Sequence, residues 1–293
     1  MQATEPQAAA LTQAVAHARV VRRIEASPWL VPVDARELWR YRDLLRFFVL
    51  RDVKSRYRQT YLGPSWAILR PLVTIVVFSA IFGGLAGLSP GKNVHIPYAL
   101  WVTPAVLAFT YVSTALTSTS TSLVQNSSLI TRVYFPRLYV PIAATITPIV
   151  DFVLGMLVLL GLFVYFHRAP SWHIVFLPAF LGLATLVVVG LGLWLSSFTA
   201  RYRDAIFGVP FFVQVWQYAT PVIYPASLVP QPYRRLLDLN PFTAVVNGFR
   251  WSLLGLPFGS LVALAASLSI AVGLIVTGLF FFRYTERHMV DML

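Results

Sequence analysis

General acid–base chemistry needs carboxylates in pairs, or a histidine within reach of the reacting group. This sequence groups its acids poorly for that purpose. Six of the eleven acidic residues precede residue 53, and the other five, Asp151, Asp204, Asp238, Glu286 and Asp291, are far apart. His95, His167 and His173 are too widely spaced for a metal site and read as solvated or interfacial side chains. The chain contains no G-x-x-x-x-G-K-[ST] loop for a nucleotide, no H-E-x-x-H and no G-x-S-x-G. Catalysis by this chain is therefore not expected. What remains for chemistry is a crowd of cations, one isolated acid and a set of aromatic rings.

The cations are concentrated early. Eleven of the 23 Lys and Arg residues lie within 19–58, among them Arg51, Lys54, Arg56 and Arg58. Basic residues beside an apolar span are the signature of a cytoplasmic, anionic lipid surface, which turns the net charge of +12 toward membrane and away from nucleic acid. Asp151 interrupts an otherwise apolar run and has two readings: a proton- or ion-coupling carboxylate, or a packing residue bonded to a neighbouring hydroxyl near one membrane face. Arg70, just inside the first apolar span and followed by Pro71, is placed to snorkel back to the cytoplasmic phosphates. Tyr111, Trp216 and Tyr218, with Gln214 and Gln217, suit the CH faces and hydroxyls of sugars, and equally suit helix packing. The hydroxyl-rich run 113–122 divides in the same way between a polar path and small-residue packing.

The elements that carry these residues follow from composition. Of 293 residues, 57% are apolar and 12% charged, with a mean hydropathy of +0.70 and no cysteine. Soluble domains are about 25% charged. The apolar surplus must face lipid, and no disulfide or thiolate metal site exists. A span needs about 20 mostly apolar residues. The runs 71–91, 93–131, 169–200, 205–233 and 251–282 contain no Asp, Glu, Lys or Arg, and 138–167 is broken only by Asp151. These give an all-α integral membrane protein with six transmembrane helices, at 66–88, 98–121, 138–166, 173–199, 205–225 and 260–283. With the N-terminus inside, 18 of the 23 Lys and Arg residues fall on the cytoplasmic side, so both termini are expected in the cytoplasm.

Three segments are not simple spans. Residues 35–58 place Leu38, Tyr41, Leu44, Leu45, Phe48 and Val49 on one helical face and Arg40, Arg51, Lys54 and Arg58 opposite. This describes an amphipathic interfacial helix, ended by Gly63-Pro64. Residues 122–137 mix apolar and polar types and suggest a short surface helix. Residues 225–257, interrupted by five prolines, suggest a re-entrant pair of short helices on the outer side before the last span. Residues 1–35 read as a poorly ordered cytoplasmic tail without the pattern of a cleavable signal, and 36–293 as one transmembrane domain.

Several motifs share a resemblance. The stretch from Leu50 to Trp66 (LRDVKSRYRQTYLGPSW), followed by Arg70-Pro71, resembles the entry motif of ABC-2-type export permeases. Within them it is similar to the branch exporting lipid-linked polysaccharides such as O-antigen, capsule or teichoic acid. Residues 128–137 (SLITRVYFPR) resemble the first cytoplasmic coupling segment, and 198–204 (FTARYRD) the second cytoplasmic loop. Residues 220–225 (TPVIYP) and 240–242 (NPF) resemble the outer re-entrant region. The resemblance covers 36–293 and implies a permease subunit of the bacterial plasma (inner) membrane, active as a homodimer with two copies of an ATP-binding cassette ATPase. Mg-ATP would be held by that partner, and this chain would carry no cofactor.

The resemblance further implies roles for particular residues. Ser128, Leu129, Thr131, Arg132, Tyr134, Phe135, Pro136, Arg137, Arg201, Arg203 and Asp204 would couple to the ATPase. Arg51, Lys54, Arg56 and Arg58 would guard the cytoplasmic entrance, where they suit either a polyprenyl pyrophosphate or anionic lipid headgroups. Tyr111, Trp216, Gln217 and Tyr218 would line the channel. Competing readings are an ABC-2 permease for a drug or lipid, an ATP-independent carrier or channel, and a membrane glycosyltransferase. The last would need a D-x-D or clustered acids that the sequence lacks.

Overall fold

A computed structural model describes residues 39–58, 60–91 and 95–286, and the expected tail at 1–35 lies outside them. No strand occurs among the described residues. The chain enters through α1 (Arg42–Tyr57) and a tight turn at Gly63–Ser65, where Gly63 takes the left-handed φ of +50° that a Gly-Pro corner needs. It then forms α2 (Trp66–Phe78), α3 (Tyr98–Gln125), α4 (Ser127–Arg132), α5 (Tyr139–Ile146), α6 (Pro148–Tyr165) and α7 (Leu177–Arg201). The remainder is α8 (Ala205–Ala219), α9 (Gln231–Leu239), α10 (Pro241–Leu254) and α11 (Leu261–Glu286).

Five segments are long and apolar enough to cross a bilayer: Gly63–Leu85, Tyr98–Gln125, Tyr139–Tyr165, Trp172–Arg201 and Leu261–Glu286. The helix expected at 205–225 is present but stops at Ala219. Thr220 precedes Pro221 and is extended (φ −102°, ψ 140°), because the proline ring clashes with a helical residue before it. Its 15 residues make ~22 Å, short of a bilayer core of ~30 Å. The span expected at 138–166 is interrupted at Thr147-Pro148, where Pro148 lacks the N–H to continue the ladder, and so divides into α5 and α6. α2 loosens into a π-helical stretch over Ser79–Leu85, which contains the pair Gly83-Gly84.

α3 is the axis of the bundle. Twenty of its 28 residues are buried, and α2, α5, α6, α7, α8 and α10 all pack on it. Its alanines and hydroxyl residues let neighbours approach closely. The hydroxyls mostly return to their own helix: Ser120 and Ser122 donate to the carbonyls of Thr117 (2.8 Å) and Thr119 (2.7 Å), and Thr103 to Ala99 (2.6 Å). One hydroxyl pair crosses to α5, Thr119 to Thr145 at 2.9 Å.

The apolar face expected on α1 is used against protein. Phe48 is buried, Leu44, Leu45 and Val49 are half-buried, and the helix lies on α5. The expected pair of short helices between 225 and 257 is α9 and α10. Eleven of the fourteen α10 residues are buried, whereas α9 buries none.

Candidate functional site

The segment from Asn126 to Arg137 meets α1. Phe135, from the loop after α4, is buried against Phe48 of α1 with ring centroids 5.4 Å apart. Three residues further along α1, Arg51 donates to Asn126 at the α3–α4 junction (2.7 Å) and to Asp52 (2.8 Å), and its guanidinium lies over the Phe48 ring. Arg137 donates to the carbonyl of Glu286 at the end of α11 (2.7 Å), which ties the same loop to the last helix. Around these anchored groups Ser128, Thr131, Arg132 and Tyr134 are exposed, and Leu129 and Pro136 are half-exposed. Arg201, Arg203 and Asp204, in the α7–α8 connection, are also exposed. Of the expected coupling residues, Phe135 is the buried one, held against α1, and most of the others are exposed.

At the other end of α1 lies a cavity of about 290 Å³. Its walls come from the end of α1, the Gly63 corner, the start of α2, the middle of α3 and the first turn of α6. Arg56 and Tyr57 turn into it, and both bind the Asp151 carboxylate: Arg56 forms an ion pair and Tyr57 donates its phenol hydrogen. Arg56 also reaches Ser118 on α3 (3.3 Å). Burial, and then the hydrogen bond to Asp151, push the Tyr57 phenol above its ordinary range, further favouring the protonated form that donates to Asp151. Arg70 and Trp66 line the same cavity, with the guanidinium 5.8 Å from the indole.

Of the four cations expected at the entrance, Arg56 alone lines this cavity. Arg51 is engaged with Asp52 and Asn126, and Lys54 and Arg58 are exposed. Sequence reasoning missed Tyr57, and it sought a hydroxyl partner for Asp151 without finding Arg56, 95 positions away. The available signal was the one intramembrane acid in a chain rich in arginine, since a buried carboxylate needs a partner.

The four residues expected to line a channel have different surroundings. Tyr111 is buried at the inner edge of the cavity, and its hydroxyl pairs with Thr185 (2.7 Å). Trp216 turns toward α10, donates to Asn240 (3.2 Å) and packs edge-on against Phe242 at 5.0 Å. Gln217 is half-exposed, and Tyr218 is exposed on the α8 face that also carries Phe207 and Phe211.

The turn after α8 is held by a residue outside every motif. Arg250 of α10 is 5% exposed and has no carboxylate partner among the described residues. It donates to the carbonyls of Pro221 (2.8 Å) and Val222 (2.7 Å), with its guanidinium 3.7 Å from the Trp101 ring. Tyr98 donates to the next carbonyl, that of Ile223. Asn240 caps α10 through Phe242 N–H and donates to Thr220 at the end of α8 (2.9 Å).

Residues 43–254, from α1 through α10, match the ABC-2 type transporter family. The O-antigen export system permease protein RfbA of Myxococcus xanthus is 28% identical over 218 residues, covering 73% of this chain and 82% of that protein. The O-antigen export system permease protein RfbA of Klebsiella pneumoniae is 23% identical over 210 residues, covering 71% and 79%. The inner membrane transport permease YadH of Escherichia coli strain K12 is 26% identical over 200 residues, covering 64% and 76%. With about three-quarters of its length matched, including nearly all of α1 and the turn after α8, this chain belongs to the ABC-2 type transporter family.

Proposed function

We propose that this chain is the permease subunit of an ATP-driven exporter that carries a lipid-linked polysaccharide of the O-antigen kind across the bacterial inner membrane. It works as a homodimer with two copies of a separate ATPase subunit, which holds the Mg-ATP. Both termini face the cytoplasm, with α8 and the turn after it making the sixth crossing beside the five long spans, in keeping with the distribution of arginine and lysine. The similarity to O-antigen export permeases supports the cargo class.

The observation that carries the mechanism is the position of α1. Its middle packs on the loop that holds the exposed coupling residues, and its end lines a cavity with two arginines. ATPase subunits closing against Ser128, Thr131, Arg132 and Tyr134, and against Arg201, Arg203 and Asp204, would press on Phe135. Phe135 meets Phe48, and α1 is a rigid rod of ~24 Å that passes the displacement to Arg56 and Tyr57. The cations at that end admit the phosphate-bearing end of the cargo, and Tyr111, Trp216, Gln217 and Tyr218 serve the sugar path.

The test is to purify the tagged chain from its own host and identify what co-elutes. A stoichiometric ATPase, and surface polysaccharide lost on deleting the chain and restored by its return, is the expected result. A solitary chain after crosslinking, with surface polysaccharide intact in the deletion, overturns the proposal and favours the self-sufficient carrier.

A further inference from the structure

The cavity beside α1 holds two guanidiniums, Arg56 and Arg70, and one carboxylate, Asp151. Asp151 uses both oxygens, one paired with Arg56 and the other accepting from Tyr57. A guanidinium and a phenol converging on two oxygens of one anion is also how protein donors hold a phosphate. Arg70, by contrast, makes no ion pair among the described residues and rests beside Trp66. The Arg56–Asp151 pair is partly open, with side-chain exposures of 26% and 22%, so an incoming anion can reach it.

We infer that Asp151 is a built-in occupant of an anion site, and that a diphosphate headgroup entering the cavity displaces it from Arg56 and Tyr57. This rests on the proposed reading of the cargo as lipid-linked. The exchange is a filter on charge. A phosphodiester headgroup of a bulk phospholipid brings one negative charge, which only matches the carboxylate already present. A diphosphate brings at least two, and bridges Arg56 to Arg70 as a single carboxylate at Asp151 does not. Displacing Asp151 also unties the end of α1 from α6, so cargo binding and release of α1 become one event.

The experiment measures binding of farnesyl diphosphate, with farnesol as control, to the full chain in phosphatidylcholine nanodiscs. Asp151→Asn is expected to bind farnesyl diphosphate on the order of tenfold tighter than the unaltered chain. Asp151→Glu should stay near the unaltered chain, and Arg70→Gln should weaken binding in either background. Asp151→Ser replaces the Asn variant if that one does not survive purification. Equal or weaker binding by the Asn or Ser variant, with Arg70→Gln still harmful, overturns the displacement and leaves the cargo reading intact. If no version distinguishes farnesyl diphosphate from farnesol, the anionic-cargo reading fails and the displacement fails with it. A matching gain for inorganic pyrophosphate would support exchange with a soluble anion as the source. A gain erased when phosphatidylglycerol replaces phosphatidylcholine would overturn the charge filter, because a singly charged headgroup would then compete for the same site.

Discussion

Arg250 brings together two backbone carbonyls of the turn after α8 and the face of Trp101 on one side chain. A buried guanidinium without a carboxylate is costly unless its donors are satisfied, and here they meet backbone carbonyls that helix formation leaves unused around Pro221. The planar fork reaches two adjacent carbonyls while its face stacks on Trp101, a combination that an ammonium group does not reproduce. Arg250→Lys is therefore expected to lose one carbonyl bond and the stacking, at about 2 kcal/mol. A thermal midpoint in detergent lowered by roughly 5 °C would agree. An unchanged midpoint would mean that water or lipid already serves those carbonyls.

Among the elements, α1 has two attachments of different character. The Phe48–Phe135 contact is apolar and short-ranged, whereas the Arg56–Asp151–Tyr57 cluster is polar and open to the cavity. Truncating either ring removes the same contact, so Phe48→Ala and Phe135→Ala should each cost ~3 kcal/mol locally and be non-additive when combined. Both single variants are expected to keep the ATPase bound and hydrolysing while export falls. The comparison to make is ATP turnover against surface polysaccharide in the same membranes. Export that persists in both variants would remove α1 from the transmission path.

The whole molecule depends on close approach between the long helices α7 and α11, of which α7 in turn packs on α3. A methyl group added at Gly190 would sit 2.7 Å from Leu274 Cβ, and one at Gly278 2.7 Å from the Gly190 carbonyl oxygen. Trp194 and Phe281 stack beside this contact at 4.2 Å. Gly190→Leu should push the helices apart and leave little monodisperse protein on size exclusion, whereas Gly182→Ala, at a glycine with open space, should not. The arginine distribution makes a second prediction at this scale: a fluorescent protein fused after Leu293 should fold and fluoresce, as a cytoplasmic fusion does. A fusion that stays dark, while one fused before Met1 fluoresces, would place an odd number of crossings in the chain.

The membrane location, the main apolar helices, the amphipathic face of α1 and the interrupted segment before the last helix were legible in the sequence. Each depends on local composition and period, which neighbours in the chain alone decide. The cut of the fifth apolar segment at Ala219 was also written there, in Thr220-Pro221, but an unbroken uncharged run from 205 to 233 masks a backbone constraint that hydropathy does not measure. Tertiary structure decided what residues far apart in sequence do to one another. It made Asp151 the partner of Arg56 and Tyr57, turned Trp216 toward Asn240, buried Phe135 under α1 and gave Arg250 its carbonyls. The physical reason is range. Burial preference and helical period are properties of a segment, whereas an ion pair or a capped carbonyl is a property of a meeting point that exists only once the helices have packed.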